Sequence, residues 1–197
     1  MRLVVDWDGT VTVEDSLVQV IHEFGDPALL AELEPRVGVD LTLHEEIALE
    51  FGAITTPLEE VARWVVQHVE VRSGLHELGG FEPTVISAGF HELIEPVLAR
   101  EGIALEVLAN RLDARPEGWV VHFRDETVCA TCGEPCKRGA LDGEPYVYVG
   151  DGYSDRCAAL AAERVFARDA LAAYLDGRGG SYEPFDDLAD VARALAR

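Results

Sequence analysis

The sequence predicts an α/β fold, a doubly wound parallel sheet with a small helical segment inserted after the first strand. Three observations lead to this prediction. Short apolar runs alternate with helix-length segments over the second half of the chain, which is typical of strands and helices in such folds. Several of these apolar runs end in polar or glycine-containing turns. A long block of helical periodicity separates the first apolar run from the next one and predicts the insertion.

The first strand and the insertion occupy the N-terminal part of the chain. The apolar run Leu3 to Val5 leads directly into Asp6-Trp7-Asp8-Gly9-Thr10, which has the composition of a strand-ending turn. Apolar residues then recur at helical spacing for roughly sixty residues. We therefore predict a helical cap over 14–76 and a core built from 1–13 and 77–197.

The remaining strands and helices are predicted in alternation. Residues 115–118 carry turn-forming side chains, so a hairpin is expected around them. The predicted strands are Pro83–Ser87, Leu105–Ala109, Trp119–Phe123, Tyr146–Val149 and Arg164–Ala167. The predicted helices among them are Glu92–Arg100 and Asp155–Ala162.

Charge and hydropathy exclude some classes of partner. The net charge is −21, from 37 acidic and 16 basic residues, and nucleic acid is normally bound by clustered Lys and Arg. We therefore expect no nucleic-acid partner. No apolar segment approaches the length that spans a bilayer, so we predict a cytoplasmic protein without a membrane partner. The sequence is compatible with a homodimer.

Polar side chains follow four of the predicted strands. They are the turn of Asp6 to Thr10, Ser87, Lys137, and the segment from Asp151 to Asp155. In open α/β sheets, ligands bind beyond the carboxyl ends of the strands. Lys137 is also the only lysine among sixteen basic residues, which singles it out for a role that needs a compact ammonium.

These residue types suit phosphoryl transfer. Two carboxylates two residues apart can share one crevice, where Asp6 attacks phosphorus and Asp8 handles the proton of the leaving group. The added charge of Asp151 and Asp155 would repel a phosphate, and a bound Mg²⁺ ion would neutralise this charge. A lysine and a hydroxyl group complete such a site by binding the phosphoryl oxygens, and Lys137 and Ser87 supply them.

At these residues the sequence resembles the haloacid dehalogenase superfamily, whose four motifs occur here in order. The first is Asp6 to Thr10, the second Ser87-Ala88-Gly89, the third Lys137, and the fourth Gly150 to Asp155. The resemblance implies a phosphatase in which Asp6, Asp8 and Lys137 are catalytic. It implies phosphate binding by Gly9, Thr10, Ser87, Ala88, Gly89 and Lys137, and Mg²⁺ binding by Asp6, the Asp8 carbonyl, Asp151 and Asp155.

The insertion and two further segments resemble particular subgroups of this superfamily. The insertion is similar to the cap of phosphoserine phosphatase-like members, as is the segment from Leu108 to Leu112, and this implies a small phosphorylated metabolite as substrate. The cysteine-rich stretch before Lys137 resembles the methionine-salvage phosphatases of the same superfamily. Cap residues that would hold an amino acid have candidate counterparts in Glu14 and in Arg63 or Arg72.

The cysteines admit two interpretations. Cys129, Cys132 and Cys136 have a spacing found among zinc ligands, and Cys157 or His122 could supply a fourth donor. A structural zinc ion and ordinary reduced thiols both stay open at this point.

A different class of protein also combines acidic residues, magnesium, a hydroxyl group and a lysine on a doubly wound sheet, namely the phosphorelay receiver domain. That would be a signalling module and not an enzyme. Asp8, placed as a general acid, and an insertion of roughly sixty residues, longer than ordinary loops, favour the enzyme. A third hypothesis is a binding protein of the same fold without catalytic activity, and the presence of all four motifs argues against it.

Overall fold

A computed structural model describes residues 1–141 and 143–197, and within them the chain forms seven strands and nine α-helices. The strands form one sheet in the order β4-β3-β2-β1-β5-β6-β7, in which β3 and β4 are antiparallel and all other neighbours parallel. The strands are β1 Arg2–Val5, β2 Thr84–Phe90, β3 Glu106–Asp113, β4 Val120–His122, β5 Tyr146–Gly150, β6 Arg164–Ala167 and β7 Glu183–Pro184.

The position of β1 in the sheet determines where a ligand can bind. On one side β1 pairs with β2, and on the other with β5, so the direction of winding reverses at β1. Such a reversal leaves a crevice beyond the carboxyl ends of the strands. The predicted doubly wound parallel sheet is thus confirmed, and the turn that follows Val5 opens into this crevice.

Helices cover both faces of the sheet. Those between β1 and β2 are α1 Ser16–Phe24, α2 Pro27–Leu33, α3 Leu43–Gly52, α4 Leu58–His68 and α5 Leu75–Gly79. The later ones are α6 His91–Glu101, α7 Arg156–Ala159, α8 Asp169–Asp176 and α9 Leu188–Leu195. The expected boundary at residue 76 falls inside α5, and the division into core and cap stays a prediction. In the described part of the chain, no helix combines the length and apolarity needed to cross a membrane.

Helix α7 is shorter than the predicted segment Asp155–Ala162. The amides of Ala161 and Ala162 bond to carbonyls three residues back, at 3.1 and 3.2 Å, so the chain tightens into a 3₁₀-type turn. Alanine content favours helix here, but the chain must turn back toward β6 within a few residues.

Alternate residues of the strands face two apolar layers. Leu3 and Val5 of β1 pack into one cluster with Phe51 of α3, whereas Val4 packs into the other with Leu171 of α8. This alternation is the period of two expected of a strand buried on both faces. It holds β1 rigidly in the middle of the sheet, directly before Asp6.

Candidate active site

The turn after β1 depends on a glycine. The amides of Thr10, Val11 and Thr12 all bond to the carbonyl of Trp7, which closes the turn. Gly9 has φ +73°, and a Cβ atom at this position would collide with the carboxylate of Asp151. The sequence therefore needs glycine here for its backbone conformation and for the close approach of the fourth motif.

Asp6, Lys137 and Asp155 form a buried ion-pair triad. Lys137 Nζ lies 2.5 Å from Asp6 Oδ1 and 2.6 Å from Asp155 Oδ1, and all three side chains are buried. Burial disfavours the lysine's charge, but Asp155 and Asp6 outweigh it and raise the pKa of Lys137. Burial and the charge of Asp155 raise the pKa of Asp6. The lysine thus links the first and fourth motifs.

Asp155 has a partner for each of its oxygens. Oδ1 accepts hydrogen bonds from Lys137 and, at 2.7 Å, from the hydroxyl of Tyr148, and Oδ2 accepts from the amides of Asp151 and Gly152 at 2.9 Å each. Burial would raise the pKa of Asp155, but Lys137 and the Gly152 amide hold it below its usual value. Asp155 thus stays ionised and holds both Lys137 and the loop after β5.

Three carboxylates form what we call the carboxylate cluster: oxygens of Asp6, Asp151 and Asp155 all lie within 4.8 Å of one another. Thr10 Oγ1 donates a 2.6 Å hydrogen bond to Asp151 Oδ1, which orients that side chain. Burial and Asp155 raise the pKa of Asp151 to about 7. Hard oxygen donors at this spacing are suited to Mg²⁺.

Asp8 lies outside the carboxylate cluster and is bonded to hydroxyl groups. Its Oδ1 accepts from the hydroxyl and, at 3.2 Å, from the amide of Ser16, and its Oδ2 accepts from Ser87 Oγ at 3.2 Å. Burial and the charge of Asp15 raise the pKa of Asp8 to about 7, against the opposing effect of Ser16. A carboxyl with this pKa can hold a proton near neutral pH, as a general acid must.

The second motif is held by hydrogen bonds of its own. Ser87 Oγ accepts a 2.8 Å hydrogen bond from the amide of Gly89, and a Cβ at Gly89 would lie 3.0 Å from Asp8 Oδ2. The carbonyl of Ala88 accepts from Asn110 Nδ2 at 2.7 Å. Ser87, Ala88 and Gly89 are thereby gathered beside Asp8, at the same edge of the sheet.

Arg72 supports the turn of the first motif and is not directed at a ligand. It is buried, and its guanidinium donates to carbonyls of Gly9, Thr10, Thr12, Val13 and Asp186 at 2.9–3.2 Å. Arg63, the alternative cap candidate, is exposed. Glu14 accepts a 2.8 Å hydrogen bond from Gln19 and lines a separate surface depression.

A cavity of about 470 Å³ is lined by Asp6 and Asp8 together with four other carboxylates. We call these the acid wall: Asp15, Glu34, Glu46 and Glu50. Among the described residues none of the four takes part in an ion pair.

Two members of the acid wall are buried. Glu50 is only 4% exposed and its Oε1 has no hydrogen-bond partner; Glu46 is 8% exposed. Burial raises the pKa of Glu46 to about 7, with a contribution from Glu34, and that of Glu50 to about 8, with a contribution from Glu46. Both lie one turn apart on α3, next to Ile47 and Phe51, on the face that turns inward.

Sequence reasoning missed the acid wall. The visible signals were weak: Asp15 precedes an apolar helix, where it caps α1 by accepting from the amides of Leu17 and Val18, and acids in a helix such as α3 normally face solvent. The spacing of Glu46 and Glu50 with two buried apolar residues was the one pattern that could have revealed them.

The four cysteines come together beside this site. Their sulfur atoms all lie within 4.8 Å of one another, and Cys129 Sγ is 3.8 Å from Cys157 Sγ. The fourth member is therefore Cys157 and not His122. This group adjoins a second cavity, of about 510 Å³, whose lining includes Lys137, Cys132 and Arg156.

Comparison with known proteins gives concordant results. The family model for haloacid dehalogenase-like hydrolases matches residues 3–160. A 2-hydroxy-3-keto-5-methylthiopentenyl-1-phosphate phosphatase of Bacillus cereus (strain B4264) is 26% identical over 209 residues, covering 99% of this chain and 95% of the relative. The same enzyme of Bacillus thuringiensis (strain Al Hakam) is 27% identical over 210 residues, with the same shares covered.

Solved structures agree on the fold. A phosphoserine phosphatase from T. onnurineus, in complex with NDSB-201, superposes with a TM-score of 0.71 at 18% identity, over 98% of this chain and 93% of the other. A phospho-aspartyl intermediate analogue of phosphoserine phosphatase superposes with a TM-score of 0.72 at 16% identity, over 98% of this chain and 97% of the other.

The predicted resemblance and the predicted enzyme class are confirmed by these matches. The order of the motifs, the switch point at β1 and the match over most of the chain lead to one conclusion: the chain belongs to the haloacid dehalogenase-like hydrolase family, and it is a phosphoric monoester hydrolase.

Proposed function

We propose that this protein hydrolyses a small phosphorylated metabolite with Mg²⁺, through an aspartyl-phosphate on Asp6. The observation that carries the proposal is the carboxylate cluster, in which Asp6 meets Asp151 and Asp155 within 4.8 Å and contacts Lys137 at 2.5 Å. A nucleophile, metal-binding oxygens and a cation for the phosphoryl group are thereby combined at the switch point.

The donor set suits Mg²⁺, because carboxylate and carbonyl oxygens are the ligands that this ion takes in proteins. Asp6, Asp151, Asp155 and the backbone carbonyl of Asp8 are the groups that would hold it. The bound ion would supply positive charge that lets a phosphate approach the carboxylates and stabilises the charge on the phosphoryl oxygens.

The first step transfers the phosphoryl group to the enzyme. An oxygen of Asp6 forms a bond to phosphorus while the bond between phosphorus and the substrate oxygen breaks. Asp8 gives its proton to the departing oxygen, so that an alcohol leaves. Lys137 and Ser87 bind the transferring oxygens, and the Trp7 amide holds the Asp6 carboxylate in place through a 2.7 Å hydrogen bond to Oδ1.

The second step releases phosphate. Asp8, now ionised, accepts a proton from a water molecule whose oxygen attacks phosphorus, and the bond to Asp6 breaks. Inorganic phosphate leaves, Asp6 is again a carboxylate, and Asp8 again carries its proton. The hydrogen bond from the Ser16 hydroxyl keeps Asp8 oriented in both steps.

Residues 14–76 are proposed to act as the cap that selects the substrate, with the acid wall as its recognition surface. Phosphoserine carries a carboxylate, and the four acidic side chains of the acid wall offer it no cation to pair with. The compound named for the Bacillus relatives, 2-hydroxy-3-keto-5-methylthiopentenyl-1-phosphate, has hydroxyl, keto and thioether groups and no carboxylate. Apolar side chains in the same cavity suit the thioether end: Leu17, Ile21, Leu30, Leu43 and Ile47. We therefore favour the second substrate, with phosphoserine as the alternative.

The test is phosphate release from both compounds and from a panel of other small phosphates, with Mg²⁺ and with EDTA. We expect metal-dependent turnover and a higher kcat/KM for the methylthio compound than for phosphoserine. A preference for phosphoserine would contradict the role of the acid wall. Stable phosphorylation of Asp6 without turnover would instead support the receiver domain, and the phosphatase proposal would then fail.

A further inference from the structure

The cysteine group joins two distant stretches of the chain. Cys129, Cys132 and Cys136 lie on the segment between β4 and Lys137, and Cys157 lies in α7. These are all the cysteines that the chain contains, and all four are free thiols in this structure. All four cysteines meet at one point although Cys157 is 21 to 28 positions away from the other three in the sequence, and this arrangement indicates a common ligand.

The spacing of the sulfur atoms fits a tetrahedral metal ion. Zinc–sulfur bonds of about 2.3 Å place tetrahedral sulfur ligands roughly 3.8 Å apart. The distance between Cys129 Sγ and Cys157 Sγ is 3.8 Å, and no pair exceeds 4.8 Å. The amide of Thr131 donates to Cys129 Sγ at 3.4 Å, a contact of the kind that orients a thiolate ligand.

We propose that Cys129, Cys132, Cys136 and Cys157 bind a structural Zn²⁺ ion, separate from the magnesium site. Each thiol would lose its proton as its sulfur binds, so four thiolates and one Zn²⁺ leave a net charge of −2 on the centre. Arg138 lies beside it, where its Nη1 bonds to Thr131 Oγ1 at 3.2 Å, and it provides a positive charge to balance that centre.

The local fold explains what the ion would do. Residues 123–136 contain neither helix nor strand, although Lys137 follows them directly and is a member of the buried triad. Cys136 precedes Lys137 by one residue, and Cys157 follows Asp155 by two. An ion between these cysteines would therefore fix the two segments that deliver the Lys137–Asp155 ion pair.

The same segment lines the second cavity and contacts the wall of the substrate cavity through one hydrogen bond. Glu134 Oε1 accepts a 3.3 Å hydrogen bond from the hydroxyl of Tyr153, and Tyr153 lines both cavities. Without the ion, residues 129–136 would no longer be held in place, and the hydrogen bond between Glu134 and Tyr153 would be lost. The proposed zinc site thus supports the geometry of the cleft without taking part in the chemistry.

The experiment measures zinc in the whole protein, purified under reducing conditions from zinc-supplemented cells and without a metal-affinity step. Elemental analysis should find about one zinc per chain. Cobalt substituted for zinc should give the absorption bands of tetrahedral thiolate coordination. Less than a tenth of an equivalent of zinc, with four thiols that react rapidly in the native protein, would overturn the proposal, as would a disulfide between Cys129 and Cys157.

A matched pair of variants separates the ligands from their surroundings. Cys132→Ser removes one exposed ligand and should lower zinc affinity by more than about tenfold. Ala130→Ser introduces the same hydroxyl into the same segment and should leave zinc content unchanged. Equal zinc affinity in both variants would contradict the assignment. Because zinc content is measured without substrate, failure of the phosphatase proposal would leave this result intact.

Discussion

Two groups of carboxylates contribute side chains to the lining of one cavity, and they differ in how their charges are compensated. In the carboxylate cluster, Asp6 and Asp155 share the ammonium of Lys137, and Asp155 accepts further hydrogen bonds from Tyr148 and two amides. In the acid wall, Glu46 and Glu50 are buried without a cation, and Glu50 Oε1 has no hydrogen-bond partner.

This difference separates chemistry from recognition. Compensated charges hold a fixed geometry, which catalysis needs before the substrate arrives. Uncompensated buried carboxylates cost stability, and residues of this kind are concentrated where a ligand binds. We infer that the carboxylate cluster performs the reaction and that the acid wall selects what enters. Four predictions test this contrast, from the largest effect to the smallest.

Asp6→Asn should abolish turnover, with a loss on the order of 10⁴-fold or more, because an amide cannot form the aspartyl-phosphate. Steady-state phosphate release measures the loss, and circular dichroism checks that the fold is retained. Asp26→Asn, at the exposed cap of α2, is the control and should keep its activity. Wild-type turnover in Asp6→Asn would remove the nucleophile from the mechanism.

Asp8→Asn should slow turnover of alkyl phosphates by roughly 10²–10⁴-fold, because their alkoxide leaving group needs a proton. Aryl phosphates, whose leaving groups are more acidic, should lose much less. Parallel kcat measurements on one alkyl and one aryl substrate check this difference. Equal losses on both would show that Asp8 is not the general acid.

Lys137→Met should destabilise the protein by about 3–5 kcal/mol, because it leaves buried carboxylates without their cation. Urea unfolding gives the change in free energy. Arg193→Met, which removes an exposed cation from α9, should change the free energy by about 0.5 kcal/mol or less. If the two variants were equally stable, the triad would not be compensated in the way that its geometry indicates.

Glu50→Gln should stabilise the protein by roughly 2–4 kcal/mol at pH 8 and by about 1 kcal/mol or less at pH 5. The folded state raises the pKa of Glu50 to about 8, so above the unfolded value of 4.5 the unfolded state binds fewer protons than the folded one. Stability is therefore lost as pH rises from 4.5 toward 8, and the neutral amide escapes this loss.

Unfolding curves at both pH values check the sign of this effect. Glu60→Gln, on the exposed side of α4, is the matched control and should show little dependence on pH. A stabilisation of Glu50→Gln that is larger at pH 5 than at pH 8 would contradict the burial of an uncompensated carboxylate.

The sequence by itself determined the fold class and the cluster of chemical groups. Asp6 and Asp151 in strand-ending turns, and Ser87 near the carboxyl end of its strand, must meet at one edge of a parallel sheet, because parallel strands all end on the same side. Lys137 could be expected there because it is the sole lysine of the chain. These inferences needed only local patterns and the geometry of one sheet.

The tertiary structure alone decided which residues become partners. It brought Cys157 and not His122 to the other cysteines, turned Arg72 onto the carbonyls of the first motif, and faced Glu46 and Glu50 into the cavity. Each of these outcomes depends on how elements far apart in sequence pack together. Local periodicity records which residues share a face of one helix or strand, but it carries no information about what that face meets.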